Sequence, residues 1–188
     1  MNPIMRKLLI FALQFFPLFA LFMGLYLWVL PYYQPVVMGT ANVVTQRLNP
    51  PTHLEGDGTG QIKSFVFTPQ RGRKFMRSWG NTSGHLVFLS LALTPALLLA
   101  TPAPWKTRFR LLGLGLPLVF LGHVLALIAM SRGIYGLRQA PGTFHWLWIL
   151  RMAYSSGQVV TATVTVLLTW RYWVPGTGSE ERREGAQI

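Results

Sequence analysis

The chain has 188 residues, 51% of them hydrophobic and 12% charged, with a formal net charge of +12 and no cysteine. Soluble domains carry roughly a quarter charged residues, so this composition, with a mean hydropathy of +0.37, points away from a soluble fold and toward the membrane. The missing cysteines exclude disulfides, thiolate catalysis, iron–sulfur clusters and lipoprotein acylation, and without a basic helix or aromatic–basic module the positive charge fits anchoring beside anionic lipid headgroups rather than binding to nucleic acid.

Four apolar stretches dominate: Leu8–Leu30, Gly84–Ala100, Leu111–Ser131 and Phe144–Tyr172. Within lipid only helices and closed barrels satisfy their backbone groups. None of the four shows the apolar/polar alternation of barrel strands, so each is predicted to be a helix. The fold class expected is therefore an all-α integral membrane protein: four transmembrane helices and a small extracytoplasmic β-hairpin. Residues 1–30 form the first transmembrane helix with its basic start. Residues 31–83 form the extracytoplasmic segment, residues 84–172 a three-helix bundle, and residues 173–188 a polar, mobile tail.

Arg6 and Lys7 precede the first stretch, as in a signal peptide. The stretch is too long for a signal h-region, and bulky Leu30, Pro31 and Tyr32 follow instead of a small-residue cleavage site. It is read as a retained anchor. After it, Val36, Val37, Val43, Val44 and Leu48 recur at roughly helical spacing, predicting a short helix over Val36–Leu48 on the membrane surface. Asn49-Pro50-Pro51 ends it. Next, Ile62, Ser64, Val66 and Thr68 alternate with Lys63, Phe65 and Phe67 beyond a Gly-Asp-Gly-Thr-Gly turn. This predicts a β-hairpin with His53-Leu54-Glu55 as its other arm and Asp57-Gly58 near its tip. A hairpin this small is marginal alone and needs the surface helix, the loop Arg132–Thr143 or a partner to cover it.

The second stretch is at the short limit for a crossing, with Ser83 and Thr101 at its interfaces. Thr101–Arg110, with Pro102 and Pro104, is predicted to be a tight turn, and Arg132–Thr143 a short loop. Four crossings place both termini on one side. The basic residues divide equally between the two sides, but the first helix usually dominates orientation. Arg6 and Lys7 flank its start and no charge flanks its end, which favours both termini in the cytoplasm.

Arg151 is the sharpest single feature, a charge inside a spanning segment. Ser155, Gln158, Thr161 or Ala162, Thr165 and Thr169 continue from it at helical spacing as a polar stripe. No predicted span contains an acidic residue. The partners open to Arg151 are Glu55 or Asp57, a lipid phosphate, backbone carbonyls or another subunit, unless it snorkels to the interface. His123 lies in the middle of the third stretch and His85 opens the second. Neither belongs to an i, i+4 metal pair or an HExxH motif. A lone buried histidine usually bonds a neighbouring helix, but in an apolar bundle either could ligate a chlorophyll magnesium or a haem iron. Pro17, Pro95 and Pro117 mark kinks, and Gly113, Gly115 and Gly122 mark close helix packing.

The layout resembles the exosortase H-associated membrane proteins of bacteria. The resemblance is carried by the basic-then-apolar first helix, Pro35-Val36-Val37 leading into a surface helix, the outer β-segment, Thr101-Pro102-Ala103-Pro104 and Arg108-x-Arg110-Leu-Leu. It implies an accessory protein beside a protein-sorting transpeptidase. It supplies no catalytic residues, and a chain without cysteine cannot perform exosortase chemistry itself. The function expected is a non-catalytic accessory or assembly subunit of a larger bacterial inner-membrane complex. Its partners would be other membrane subunits and lipid headgroups, and it would require no cofactor. The alternatives are a chlorophyll- or haem-binding subunit of a photosynthetic or electron-transfer complex, and a small transporter or channel using the Arg151–Gln158 stripe.

Overall fold

The computed structural model describes residues 3–47, 51–56, 61–70, 73–83, 87–139 and 158–173. Among them are four helices and one three-stranded sheet. In chain order these are α1 (Pro3–Thr45), β1 (Thr52–Gly56), β2 (Gln61–Gln70), β3 (Arg73–Ser83), α2 (Ser90–Ala100), α3 (Trp105–Gln139) and α4 (Gln158–Trp173). The described structure is mostly helical, and α1 and α3 are long and apolar enough to cross a membrane. The shorter α2 is apolar apart from Ser90 and Thr94.

The predicted division between a first spanning helix and a separate surface helix does not hold. α1 is one helix of 43 residues that runs through Pro17, Pro31 and Pro35. At 1.5 Å per residue it is about 65 Å long, roughly twice the hydrocarbon thickness. Each internal proline removes one i→i−4 bond, which breaks many helices in water. Helices packed in a bundle or facing lipid tolerate this, because breaking the helix would expose more backbone than the proline does. Val36–Thr45 is therefore helical, as its spacing predicts, but it continues the helix axis.

The predicted turn Thr101–Arg110 is also shorter than expected. The Pro104 carbonyl accepts bonds from the N–H groups of Thr107 (2.9 Å) and Arg108 (3.0 Å), so α3 starts at Trp105 and only Thr101–Pro104 turns the chain. At the other end α3 continues to Gln139, absorbing most of the predicted loop Arg132–Thr143. Of the stretch Phe144–Tyr172 the described part is helical from Gln158. The predicted tail beyond Trp173 lies outside the described residues.

The hairpin joining β1 and β2 forms as its alternation predicts, with Thr52 opposite Val66 and Gly56 opposite Ile62. A third strand, not predicted, extends it: β3 pairs antiparallel with β2 along its whole length. Ser64 faces Gly80 while Phe65 faces Ser78, so Trp79 is the extra residue of a bulge.

α2 sits at the centre of the bundle, with eight of its eleven residues buried, and touches α1, α3 and α4. A Cβ on Gly115 would lie 2.5 Å from Leu98 Cδ1 and 3.5 Å from Leu168 Cδ1. A side chain there would hold α2 and α4 away from α3, so the predicted role of Gly115 in close packing is met. A Cβ on Gly113 would meet nothing within 4 Å. The main core lies where bundle and sheet meet. Val37, Met38 and Ala41 of α1, Leu54 and Ile62 of the sheet, Phe88, and Leu127 of α3 form one buried cluster. The sheet therefore shares a core with the helices and does not stand alone.

Candidate functional site

Three polar side chains tie this architecture together, each at a different level along α1. The first is His123, which is fully buried. Its Nδ1 lies 2.8 Å from the Tyr33 hydroxyl of α1, and its Nε2 lies 2.5 Å from Ser90 Oγ at the start of α2. An imidazole with one ring proton accepts from one hydroxyl and donates to the other, so the three groups satisfy each other across three helices. The rings of Tyr33 and Phe88 meet the imidazole edge-on, at centroid distances of 5.7 and 5.1 Å. With both ring nitrogens engaged, ligation of a metal by His123 requires Tyr33 or Ser90 to give up its bond. His85, the other predicted ligand, lies outside the described residues. No group of three or more histidine, aspartate or glutamate side chains among the described residues could hold a metal ion.

The second tie is Arg108, in the first turn of α3. The last carbonyls of a helix have no intrahelical partner, and α2 ends abruptly at the Thr101–Pro104 turn. The N–H and hydroxyl of Thr101 both donate to the Leu97 carbonyl. Arg108 takes one more of them and a carbonyl of the turn: Nε donates to the Ala103 carbonyl at 2.7 Å, and one terminal nitrogen donates to the Leu99 carbonyl at 2.6 Å and to Gln14 Oε1 of α1 at 3.1 Å. The guanidinium also stands 4.9 Å from the centre of the Trp105 ring, within cation–π range.

The third tie is Asn42. Its amide donates to the Leu54 carbonyl at 2.9 Å, and its Oδ1 accepts from the Leu54 N–H at 2.8 Å. Leu54 lies in β1, whose other edge pairs with β2. One side-chain amide thus supplies to the open edge of β1 the two bonds that a neighbouring strand would make. Gln46 reaches His53 Nδ1 at 3.3 Å, and a Cβ on Gly56 would lie 3.0 Å from Gln34 Nε2. β1 therefore runs antiparallel along the last three turns of α1. The sheet is covered by the segment predicted as a surface helix, one of the covers expected for it.

The polar stripe is partly visible. Arg151 and Ser155 lie outside the described residues, and Gln158 is placed only by its backbone, as the first residue of α4. Thr161 and Thr169 are buried. Thr94 Oγ1 of α2 lies 3.5 Å from Thr161 Oγ1, whereas Ala162 is exposed. The Thr165 hydroxyl is buried with no hydrogen-bond partner among the described residues. Thr161 of the stripe thus faces α2, whereas the Thr169 hydroxyl donates to the Thr165 carbonyl of its own helix.

Asn42, Arg108, Gln14 and Tyr33 were not singled out as site residues from the sequence. Gln14 had a signal, being a lone amide within an apolar run. Arg108 was visible only as one of several charges near a turn.

No protein-family model, curated protein or solved structure matches this chain.

Proposed function

We propose that this protein is a non-catalytic subunit of a larger bacterial inner-membrane complex, crossing the bilayer four times with both termini in the cytoplasm. The supporting observation is the way its buried polar groups are occupied. His123 and Arg108 each bond two neighbours in other segments, and Asn42 makes two bonds to Leu54 of β1, leaving them structural in this geometry. The longest outward apolar surface is that of α1. None of the residues in its most apolar window is buried, and Leu13, Phe16, Leu21 and Trp28 are each more than 65% exposed. A surface of that length meets lipid or another helix. An accessory role beside a sorting transpeptidase, as the resemblance implies, is the form of this proposal in which the sheet faces the partner's substrate side.

The decisive experiment places a photo-crosslinking residue at Phe16, Leu21 or Trp28 in the native membrane and identifies the products by mass spectrometry. A repeated adduct with one larger membrane protein supports the subunit reading. Adducts with lipid alone, at all three positions, overturn it. Because the chain lacks cysteine, single cysteines introduced at Glu55 and Lys106 test orientation without background. The proposal expects only the first to react with an impermeant reagent in intact cells.

A further inference from the structure

A cleft of about 190 Å³ opens between α1, α2 and α3, lined by Phe22, Tyr26 and Val29 of α1, Leu91 and Pro95 of α2, and Leu116 of α3, among others. Its walls are hydrocarbon apart from one tyrosine, so in a bilayer an acyl chain is the occupant it favours. Trp105, Phe109, Leu112 and Leu116 recur on one face of α3. Leu112 and Leu116 line the cleft, and toward the start of the helix the Trp105 and Phe109 rings stack at 5.8 Å while each remains about 60% exposed. Beside these rings are exposed Lys106 and Arg110. Of the described residues Glu55 is the only acid, and it lies in the sheet at the opposite end.

Apolar cleft and aromatic pair therefore share one face of α3, and Lys106 and Arg110, with no acid beside them among the described residues, stand about 100° around the helix on the adjoining flank. We infer that this face and its basic flank form a binding site for an anionic glycerophospholipid, with one acyl chain in the cleft and the phosphate at Lys106 and Arg110. Arg108, on the other flank of the helix, is occupied by Leu99, Ala103 and Gln14 and is not part of the site. The inference rests on α1 and α3 spanning the bilayer.

The test is native mass spectrometry of the full chain released from mild detergent, with phosphatidylglycerol and phosphatidylcholine of matched acyl chains as probes. The wild type is expected to retain phosphatidylglycerol in preference. Lys106→Gln with Arg110→Gln should lower its retention about thirtyfold, at about 1 kcal/mol per cation. Leu116→Trp, or Leu25→Trp from the α1 wall that Leu25 also lines, should fill the cleft and abolish retention of both lipids, with helical circular dichroism confirming the fold. Equal retention of the two lipids by the wild type overturns the headgroup assignment. Undiminished retention in both folded tryptophan variants overturns the cleft. Alkaline extraction of the membrane fraction separates this failure from that of the spanning reading: release of the chain into the soluble fraction sinks both, whereas membrane retention without lipid selectivity sinks the lipid site alone.

Discussion

The two ends of the helix bundle are held by opposite kinds of chemistry. At the Arg108 end a permanent charge gathers carbonyls left over by a sharp turn, and its side chain is only partly buried. At the His123 end the groups are an imidazole and two hydroxyls, and the central ring is fully buried. The difference follows from solvation. A guanidinium near an interface keeps some contact with water while it replaces the missing partners of a helix end. The same charge deeper in the bundle would carry a desolvation cost that carbonyl contacts do not offset. Groups able to share single protons satisfy one another there without that cost.

This contrast orders the substitutions expected to matter. Arg108→Ala removes three bonds at once and strands the Leu99 and Ala103 carbonyls. It is expected to cost about 3 kcal/mol, read as the largest fall in thermal stability of the detergent-solubilised protein. Arg108→Lys should recover only part of this, because an ammonium lacks the fork that reaches both carbonyls. Full recovery by lysine would show that charge alone matters at this end.

His123→Leu keeps the volume roughly but leaves the Tyr33 and Ser90 hydroxyls without their shared partner, a loss of about 2 kcal/mol. If the two ends differ as argued, adding Tyr33→Phe and Ser90→Ala to that variant restores stability, since an all-apolar replacement leaves nothing unsatisfied. A triple variant as unstable as the single one would contradict that account.

Asn42→Ala acts on the sheet rather than the bundle, with an expected cost of about 1–2 kcal/mol. The measurement is hydrogen exchange. Protection should fall in Thr52–Gly56 and remain unchanged in α2. Uniform loss across both segments would mean that sheet and bundle unfold as one unit. Gly115→Ala is the mildest change, because the added carbon meets the end of the Leu98 side chain. It should cost about 1 kcal/mol, with Gly115→Leu clearly worse through overpacking.

Much of the arrangement around these ties was readable before the structure. The glycine-rich run between Glu55 and Gln61 and the alternation from Ile62 onward located the first hairpin in the sequence, because a period of two is a local property of a half-buried strand. β3 was missed for an equally local reason: Arg73–Ser83 contains three cations and a bulge at Trp79, which break the alternation that marks a strand. Pairing with β2 overrides its weak propensity. Pro31 and Pro35 misled in the other direction. They read as a helix end, yet Tyr33 between them reaches His123 and Leu30 and Val37 on either side are buried in the core. Contacts made 90 residues away in sequence hold the helix through its prolines.

The sequence by itself determined a mostly helical chain with runs long and apolar enough to cross a membrane. Long apolar runs, sparse charge and the lack of cysteine are sums over local composition, and the hydrophobic effect responds to such sums. Tertiary structure alone decided which polar side chains find each other. A hydrogen bond depends on ångström-scale placement of groups far apart in the chain. The Asn42–Leu54, His123–Tyr33 and Arg108–Gln14 pairs therefore exist only once the helices have packed and the sheet has docked.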